Sequence, residues 1–323
     1  MGAWGDEIMT VAFTFPGQGS QAVGMGKAFA DNFAAARAVF QEVDDALSQK
    51  LSALMFEGPD DQLTLTANAQ PALMAVSLAA LRVLETEAGI SPAKHAQFVA
   101  GHSLGEYSAL AAAGSLSIAD TARLLRIRGN AMQAAVAPGV GAMAALIGLD
   151  FDAAAAVAQE AAQGDVCQAA NDNGGGQVVV SGSKAAVERA VELAKAKGAK
   201  RAVMLTVSAP FHCALMQPAA DAMAEALSTV TIAKPVVPLV GNVTATAGSD
   251  PEEIRRNLVT QVTGTVRWRE SVSYMAAQGV TRFVEIGSGK VLTGLVKRIA
   301  AETEGVSISQ PDDVATLRAQ LGV

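Results

Sequence analysis

The chain has 323 residues, of which 50% are hydrophobic, and this is enough material for a large core and two structural units. Its formal net charge of −7 argues against a protein that binds nucleic acid over its whole surface. Much of the hydrophobic content is alanine and valine, and no uninterrupted apolar run approaches the roughly 18–20 residues of a membrane span.

The N-terminal segment and the cysteines indicate the compartment. Met1 to Ile8 include Asp6 and Glu7 and lack the basic residues of a secretory signal, so the segment is not interpreted as one. Because a regular strand begins only near Met9, we interpret it as a loose extension. Cys167 and Cys213 are too few for a disulfide framework, and nothing in the sequence has the spacing of a zinc site. We therefore expect a cytoplasmic protein that needs no metal and no other cofactor and binds neither nucleic acid nor a membrane.

The first part of the chain alternates strands with helices. Strands are predicted at Val11–Phe15 and at residues 97–100, and helices at 27–47, 71–87 and 118–136. Pro71 suits the first position of its helix, where a missing N–H costs nothing. Such alternation favours a mainly parallel sheet that helices cover on both faces.

Between about Pro138 and Val207 the pattern changes. Strands are predicted at Ala142–Leu149, Val166–Ala170, Gln177–Ser181 and Arg201–Val207, and helices at Asp152–Gln163 and Lys184–Lys197. The resulting order, β-α-β-β-α-β, is typical of a ferredoxin-like unit. The α/β pattern then resumes with strands at 235–240 and 282–286 and a helix from Pro251.

The fold prediction follows from these elements. We expect an α/β protein whose large, α/β-hydrolase-like domain consists of residues 1–137 and 208–323 and has a mainly parallel sheet. A small ferredoxin-like domain, residues 138–207, is predicted to be inserted into it.

The pentapeptide Gly101-His102-Ser103-Leu104-Gly105 is the strongest chemical signal in the chain. It stands between an apolar, strand-like run and an alanine-rich, helix-like run. This is the context of a G-x-S-x-G nucleophile elbow, in which a serine on a sharp strand-to-helix turn faces the free N–H groups of the helix. The alternative is an ordinary glycine-flanked turn, and the flanking elements favour the nucleophile.

A serine hydroxyl needs a general base, and the chain offers three histidines. His102 adjoins Ser103 on a tight turn, where neighbouring side chains diverge, and His95 lies at the far end of the incoming strand. His212 remains, at the predicted junction of the two domains, where a cleft is expected. No single acid is identified as its partner. The candidates are Asp120, Asp150, Asp152, Asp172 and, equally, a backbone carbonyl.

Arg128 indicates the substrate class. At about 100° per residue it falls within roughly 60° of the apolar stripe of its helix, whereas Arg126 and Arg123 lie away from that stripe. A buried guanidinium needs a partner. That partner is either a protein carboxylate or, next to a serine nucleophile, the free carboxylate of an acyl substrate, which an arginine fork fits.

Together these residues resemble a known family. The motifs are Phe15-Pro16-Gly17-Gln18-Gly19-Ser20-Gln21, Gly101-His102-Ser103-Leu104-Gly105-Glu106-Tyr107, Arg128, Pro210-Phe211-His212 and Gln261. Their order and spacing are similar to those of malonyl-CoA:acyl carrier protein transacylases, and of the related acyltransferase domains of polyketide and fatty acid synthases. The resemblance extends from about Met9 to the region of Lys297.

The resemblance implies specific roles for the catalytic residues. Ser103 would be acylated, and His212 would act first as base and then as acid. The backbone N–H groups of Gln18 and Leu104 would form the oxyanion hole. Gln261 would lie beside the Ser–His pair, in a neighbourhood where the family holds the histidine with a main-chain carbonyl.

The resemblance also implies roles in substrate binding. Arg128 would bind the malonyl carboxylate, and Asn171 and Asn173 match polar positions of the small domain that face the cleft. The chain departs from the family at Gly174, where a proline often follows the asparagines. Phe211 is a variant also found in the family.

The predicted function is transfer of the malonyl group from malonyl-CoA to the phosphopantetheine thiol of acyl carrier protein. The predicted mechanism is ping-pong through a malonyl-serine intermediate, in support of fatty acid synthesis by a monomer. Carrier docking is predicted at the basic clusters Lys195–Arg201 and Lys290–Arg298. Three alternatives stay open: a serine thioesterase or hydrolase on the same scaffold, a stand-alone polyketide acyltransferase, and a non-catalytic carrier-binding module.

Overall fold

The computed structural model describes residues 10–323, and the predicted loose extension lies outside the described residues. The strands are β1 Val11–Phe15, β2 Phe98–Gly101, β3 Gly141–Ile147, β4 Cys167–Asp172, β5 Gln177–Ser183, β6 Arg201–Met204, β7 Leu239–Val240, β8 Ala247–Gly248, β9 Arg282–Ile286 and β10 Glu304–Ile308. The helices are α1 Lys27–Asn32, α2 Ala34–Leu47, α3 Leu51–Glu57, α4 Asp60–Thr64, α5 Thr66–Ala88, α6 Pro92–His95, α7 Gly105–Ala112, α8 Ile118–Ala134, α9 Phe151–Ala162, α10 Lys184–Ala196, α11 Gln217–Ser228, α12 Pro251–Thr263, α13 Trp268–Ala277, α14 Val291–Ile299 and α15 Pro311–Leu321. A 3₁₀ turn, Ala214–Met216, precedes α11.

The large sheet has the strand order β10-β9-β1-β2-β7-β8. Its strands run parallel except β8, which pairs antiparallel with β7. Every residue of β1, β2 and β9 is buried, because helices cover both faces of the sheet. The predicted α/β fold with a mainly parallel sheet is confirmed.

The small sheet has the order β4-β5-β3-β6 and is antiparallel throughout. Its two helices, α9 and α10, pack on it around a separate core that includes Leu146, Val157, Val180 and Val187. This is the predicted ferredoxin-like arrangement. The exact domain limits at residues 138 and 207 stay a prediction, and β6 ends at Met204 rather than at Val207.

Two helix predictions were wrong, one in missing an internal break and the other in its starting residue. The helix predicted over residues 27–47 is broken at Phe33, whose backbone is extended (φ −127°, ψ 124°) and which ends α1 by donating its N–H to the Phe29 carbonyl. Pro71 lies inside α5 rather than at its start. The turn of α5 that precedes Pro71, beginning at Thr66, packs closely on α8, since a Cβ on Gly129 would lie 2.6 Å from the Ala67 Cα atom.

Helix α5 is long and apolar enough, by composition, to cross a membrane, and it is the one such helix within residues 10–323. Of its most apolar stretch, 83% is buried inside the protein. It packs against α2 and α8 and forms the centre of the main core with side chains such as Leu73, Met74 and Leu84.

The parallel strands determine where the site forms. The strands β1, β2 and β7 end at Phe15, Gly101 and Val240, at the same edge of the sheet. In open α/β sheets this carboxyl edge is where ligands bind. The residues that follow these strands, including Gln18, Ser103 and Asn242, therefore approach one another although they are far apart in the chain.

Candidate active site

Ser103 sits on a sharp turn between β2 and α7. Its backbone has a φ of +54°, in the left-handed region that non-glycine residues rarely adopt. A Cβ on Gly101 would lie 1.9 Å from the Gly105 carbonyl oxygen, and a Cβ on Gly105 would lie 2.2 Å from that of Phe15. Both glycines of the motif are therefore required by close backbone approach, as a nucleophile elbow demands.

Asn242 clamps the backbone of this elbow. Its Oδ1 accepts from the Ser103 N–H at 2.8 Å, and its Nδ2 donates to the Gly101 carbonyl at 2.7 Å. The side chain is completely buried, so both hydrogen bonds are shielded from water. Sequence analysis missed Asn242, although a polar residue just after the carboxyl end of a buried strand is a signal that could have found it.

His212 contacts Ser103 directly. Its Nε2 lies 2.8 Å from the Ser103 Oγ, and its Nδ1 lies 2.9 Å from the backbone carbonyl oxygen of Gln261. A carbonyl only accepts, so Nδ1 carries the proton and Nε2 is free to accept the one on the serine hydroxyl. Burial, and then the positive charge of Arg128, lower the pKa of His212 to about 3, which keeps the imidazole neutral at neutral pH.

The orienting group is thus the backbone carbonyl, one of the alternatives that the sequence left open. None of the four candidate aspartates takes that place. Asp120 accepts from the hydroxyl of Ser117, the N-cap of α8, and Asp150 is itself the N-cap of α9. Asp152 is exposed, and Asp172 pairs with Arg269 at 2.7 Å.

Arg128 reaches the same hydroxyl from α8. It is only 1% exposed, and its Nη2 donates to the Ser103 Oγ at 3.0 Å and to the Gln261 Oε1 at 2.8 Å, while Nη1 donates to the Gln70 Oε1 at 2.8 Å. Its Nε has no acceptor, and no carboxylate among residues 10–323 lies within 4.0 Å. The buried ion pair that the sequence allowed is therefore not found in the described part of the chain.

Gln261 joins the groups of the site. Its Oε1 accepts from Arg128, so its Nε2 faces the acceptors and donates to the Ser103 carbonyl and to the Glu106 Oε2, each at 2.9 Å. Glu106 is 1% exposed and also accepts from the Asn242 N–H at 3.2 Å. Sequence analysis gave Glu106 no role, although an acidic residue in the first turn of a buried helix is a signal for one.

Two backbone N–H groups face the elbow. Gln18 and Leu104 both line the cleft beside Ser103, and their N–H groups donate to no acceptor in the part of the chain that the structure describes. Gly17 allows the approach, since a Cβ there would lie 2.7 Å from the His102 carbonyl oxygen. The Gln18 side chain points to the Thr66 hydroxyl at 3.2 Å. This arrangement suits an oxyanion hole.

The two asparagines of the small sheet differ in position. Asn171 lines the cleft, whereas Asn173 is not among the described residues that line it, and its Oδ1 instead lies 2.9 Å from the His102 Nε2. The following residue, Gly174, has a φ of +74°, which proline cannot adopt. The proline that often stands at this position in the family would therefore not fit the conformation of this loop.

The cleft lies between the two sheets and has a volume of about 440 Å³. Its polar groups converge at Ser103, and the apolar side chains of Met132, Met143 and Phe211 line the remainder. This combination is typical of a site for a small organic molecule. Residues 10–323 contain no group of three or more His, Cys, Asp or Glu side chains that could hold a metal ion.

Comparison with known proteins gives consistent matches over nearly the whole chain. Residues 12–314 match the acyl transferase domain family. The chain is 47% identical over 305 residues to the malonyl CoA-acyl carrier protein transacylase of Bacillus subtilis (strain 168), covering 94% of this chain and 95% of that protein.

Solved structures agree with these matches. The acyl-carrier-protein S-malonyltransferase of Bartonella henselae superposes with a TM-score of 0.95 at 61% identity, covering 98% of this chain and 100% of that one. A malonyl-transacylase solved in complex with a holo acyl-carrier protein of a type II polyketide synthase superposes with a TM-score of 0.93 at 43% identity, covering 96% and 99%.

Proposed function

The chain belongs to the acyl transferase family and is an acyltransferase, and we propose that it moves a malonyl group from malonyl-CoA to the phosphopantetheine thiol of an acyl carrier protein. Its relatives carry this activity in their names, and the carrier belongs to fatty acid or polyketide synthesis. Fatty acid synthesis, a monomeric state and a cytoplasmic location stay predictions.

The observation that carries the proposal is the pairing of Arg128 with Ser103. A buried guanidinium with an unpartnered Nε, 3.0 Å from a serine hydroxyl, can hold the free carboxylate of an acyl group while the hydroxyl attacks its other end. A neutral acyl group makes no charge-assisted hydrogen bond to this guanidinium, so it gains less from binding at Arg128.

In the first half-reaction the Ser103 Oγ attacks the thioester carbonyl. The His212 Nε2, at 2.8 Å, takes the hydroxyl proton and delivers it to the departing CoA thiolate. The backbone N–H groups of Gln18 and Leu104 stabilise the tetrahedral oxyanion, and the Gln261 carbonyl stabilises the imidazolium through Nδ1. The malonyl group is then an ester of Ser103.

In the second half-reaction the carrier thiol attacks this ester. His212 now removes the thiol proton and returns it to the Ser103 oxygen, so that the free enzyme is restored. Asn171 lines the path into the cleft and is proposed to contact the bound substrate. Asn173 is proposed to act through His102 rather than by direct contact.

Intact-protein mass spectrometry after mixing with malonyl-CoA tests the proposal. We expect one malonyl group per chain, located on the peptide that contains Ser103, and its loss when holo carrier is added. Rapid release of CoA and malonate without carrier would favour the hydrolase instead. Carriers of fatty acid and of polyketide synthesis, compared by kcat/KM, separate the two pathways.

Arg128→Ala is expected to act selectively on the acyl group. The kcat/KM for malonyl-CoA should fall about 10²–10³-fold because a charge-assisted, buried contact is lost, whereas that for acetyl-CoA should fall less than about tenfold. Steady-state kinetics with both thioesters measure this ratio. Arg123→Ala, on an exposed part of α8, is the matched control and should change neither value. Equal losses for both thioesters would mean that Arg128 is structural.

Carrier docking is proposed at Lys290 and Arg298. In the other basic cluster, Lys195 and Lys197 form ion pairs with Glu192 and Glu160. Neither Lys290 nor Arg298 has a carboxylate within 4.0 Å among residues 10–323. The loop before Lys290 packs beside the cleft-lining turn, since the Ser288 Oγ donates to the Ser20 carbonyl at 2.6 Å.

Reversal of these two charges tests the docking surface. Lys290→Glu combined with Arg298→Glu should raise the KM for the acidic carrier about tenfold and leave the KM for malonyl-CoA unchanged, because long-range attraction is lost. Lys195→Glu combined with Lys197→Glu makes the same change in net charge and should have little effect. If both double variants behave alike, only net charge matters and the proposed surface is wrong.

A further inference from the structure

Two buried, oppositely charged side chains flank the nucleophile without touching each other. Glu106 and Arg128 are each 1% exposed, and neither has an ion-pair partner within 4.0 Å in the described part of the chain. The Gln261 side chain joins them, since its Nε2 donates to the Glu106 Oε2 at 2.9 Å and its Oε1 accepts from the Arg128 Nη2 at 2.8 Å.

We propose that Glu106 is the counterion of Arg128, acting through the Gln261 amide, and that it takes up a proton when a substrate carboxylate arrives at Arg128. This inference rests on the proposed function, because the arriving anion is the malonyl carboxylate. In the free enzyme the pair Glu106⁻ and Arg128⁺ is electrically balanced. A second anion at Arg128 would leave one net negative charge in a buried site, and a proton from bulk water on Glu106 removes it.

The other groups around Glu106 do not replace it in this role. His212 and His102 are buried, and burial lowers the pKa of both, so both are neutral near pH 7 in the free enzyme. Burial raises the pKa of the Tyr107 hydroxyl, so it stays protonated. Glu253, on α12, is exposed. Burial likewise raises the pKa of Glu106, to about 7, against the opposing effects of Gln261, Asn242 and Arg128.

A proton can reach Glu106 without passing through the occupied cleft. Glu106 lines a small cavity of about 20 Å³, whose other lining residues include Thr244, Thr246 and Glu253 and do not include Arg128. A cavity of this size admits about one water molecule. Because Thr246 and Glu253 are exposed and no described residue lines both this cavity and the cleft, the cavity gives Glu106 a route to the surface that is separate from the substrate.

Proton uptake during a single turnover tests the inference. Enzyme is mixed with malonyl-CoA in a weakly buffered pH-indicator solution, and the malonyl-serine formed is counted by intact mass. We expect uptake of up to one proton per malonyl-serine formed, largest just above pH 7 and absent well below it, where Glu106 is already protonated. Ionisation of the CoA product would release protons and so has the opposite sign.

Glu106→Gln is the matched variant, since it keeps the shape and an acceptor for Gln261 and removes the charge. The variant should show no proton uptake. Its ratio of kcat/KM for malonyl-CoA to kcat/KM for acetyl-CoA should rise several-fold, because no negative charge at position 106 then offsets the attraction of Arg128 for the malonyl carboxylate. A merely structural role would lower both values together.

The outcomes are separable. Malonyl-serine formed by the wild-type enzyme without proton uptake at any pH from about 6.5 to 8 overturns the inference and leaves the proposed function intact. Uptake that persists in a folded Glu106→Gln variant also overturns it. Failure to form malonyl-serine at all overturns the proposed function and this inference with it. If the variant does not fold, the pH dependence of the wild-type uptake still decides.

Discussion

Replacement of Ser103 by alanine is expected to abolish the malonyl-enzyme and to lower malonyl transfer to the carrier by a factor of about 10⁴ or more. The hydroxyl contacts both His212 and Arg128, at 2.8 and 3.0 Å. Without it the thioester has no nucleophile in reach, and Arg128 still binds malonyl-CoA. The KM for malonyl-CoA should therefore change much less than kcat, and the intact mass should stay unmodified.

Ser108→Ala, on the helix α7 that follows the elbow, provides the matched control. The Ser108 hydroxyl is buried and has no hydrogen-bond partner in the described part of the chain, so its removal should not disturb the fold or the rate. Thermal unfolding of both variants checks that each is folded. A Ser103→Ala enzyme that still carries malonyl after mixing would show that another residue is the acceptor, and the proposed mechanism would be wrong.

The sequence predicted most of the fold because its strands are short, apolar and regularly separated by helices. The nucleophile turn was also predictable, since two glycines around Ser103 are needed at contact distances that only glycine allows. The helix limits failed where tertiary packing decides them. Pro71 is tolerated within α5 because the preceding turn packs against Gly129 of α8, and no local pattern records that contact.

The groups that support the site were less predictable than its centre. The partner of His212 is a backbone carbonyl, which every residue possesses and no sequence motif marks. Asn242 lies 139 residues after Ser103 in the chain and reaches the elbow only because the chain folds. Glu106 lies one helical turn after Ser103, and its partners Gln261 and Asn242 come from distant parts of the chain. The sequence shows that both side chains are polar, but it does not show that they lie together beside Ser103.

The backbone is strained at both proposed catalytic positions, and the supporting groups hold it there. Ser103 and His212 have φ values of +54° and +58°, a conformation that typically costs about 1 kcal/mol or more for a non-glycine residue. Asn242 holds the first by bonding the backbone on both sides, and the Gln261 carbonyl holds the imidazole of the second. These hydrogen bonds offset the cost and keep the two side chains 2.8 Å apart before substrate arrives.

His212→Ala is expected to lower kcat/KM for malonyl-CoA by about 10²–10⁴, because the proton of the attacking hydroxyl then has no acceptor. The proposed role of His212 also predicts how the acylation rate of the wild-type enzyme depends on pH. A folded-state pKa near 3 means that the His212 imidazole stays unprotonated between about pH 5 and pH 8. Protonation of His212 should therefore produce no fall in acylation rate between about pH 5 and pH 8.

Stability follows the same shift with a defined sign. A histidine with a lowered folded-state pKa binds more protons when the chain is unfolded. His212 therefore lowers the free energy of unfolding progressively as pH falls from about 6.5 toward 3. Circular dichroism must therefore accompany the rate measurements to separate unfolding from protonation of the base. His95→Ala, outside the cleft, is the matched control and should keep the wild-type rate. A wild-type rate that halves near pH 6.5 while the protein stays folded would mean that His212 titrates as an exposed imidazole, and its proposed role as a buried neutral base would be wrong.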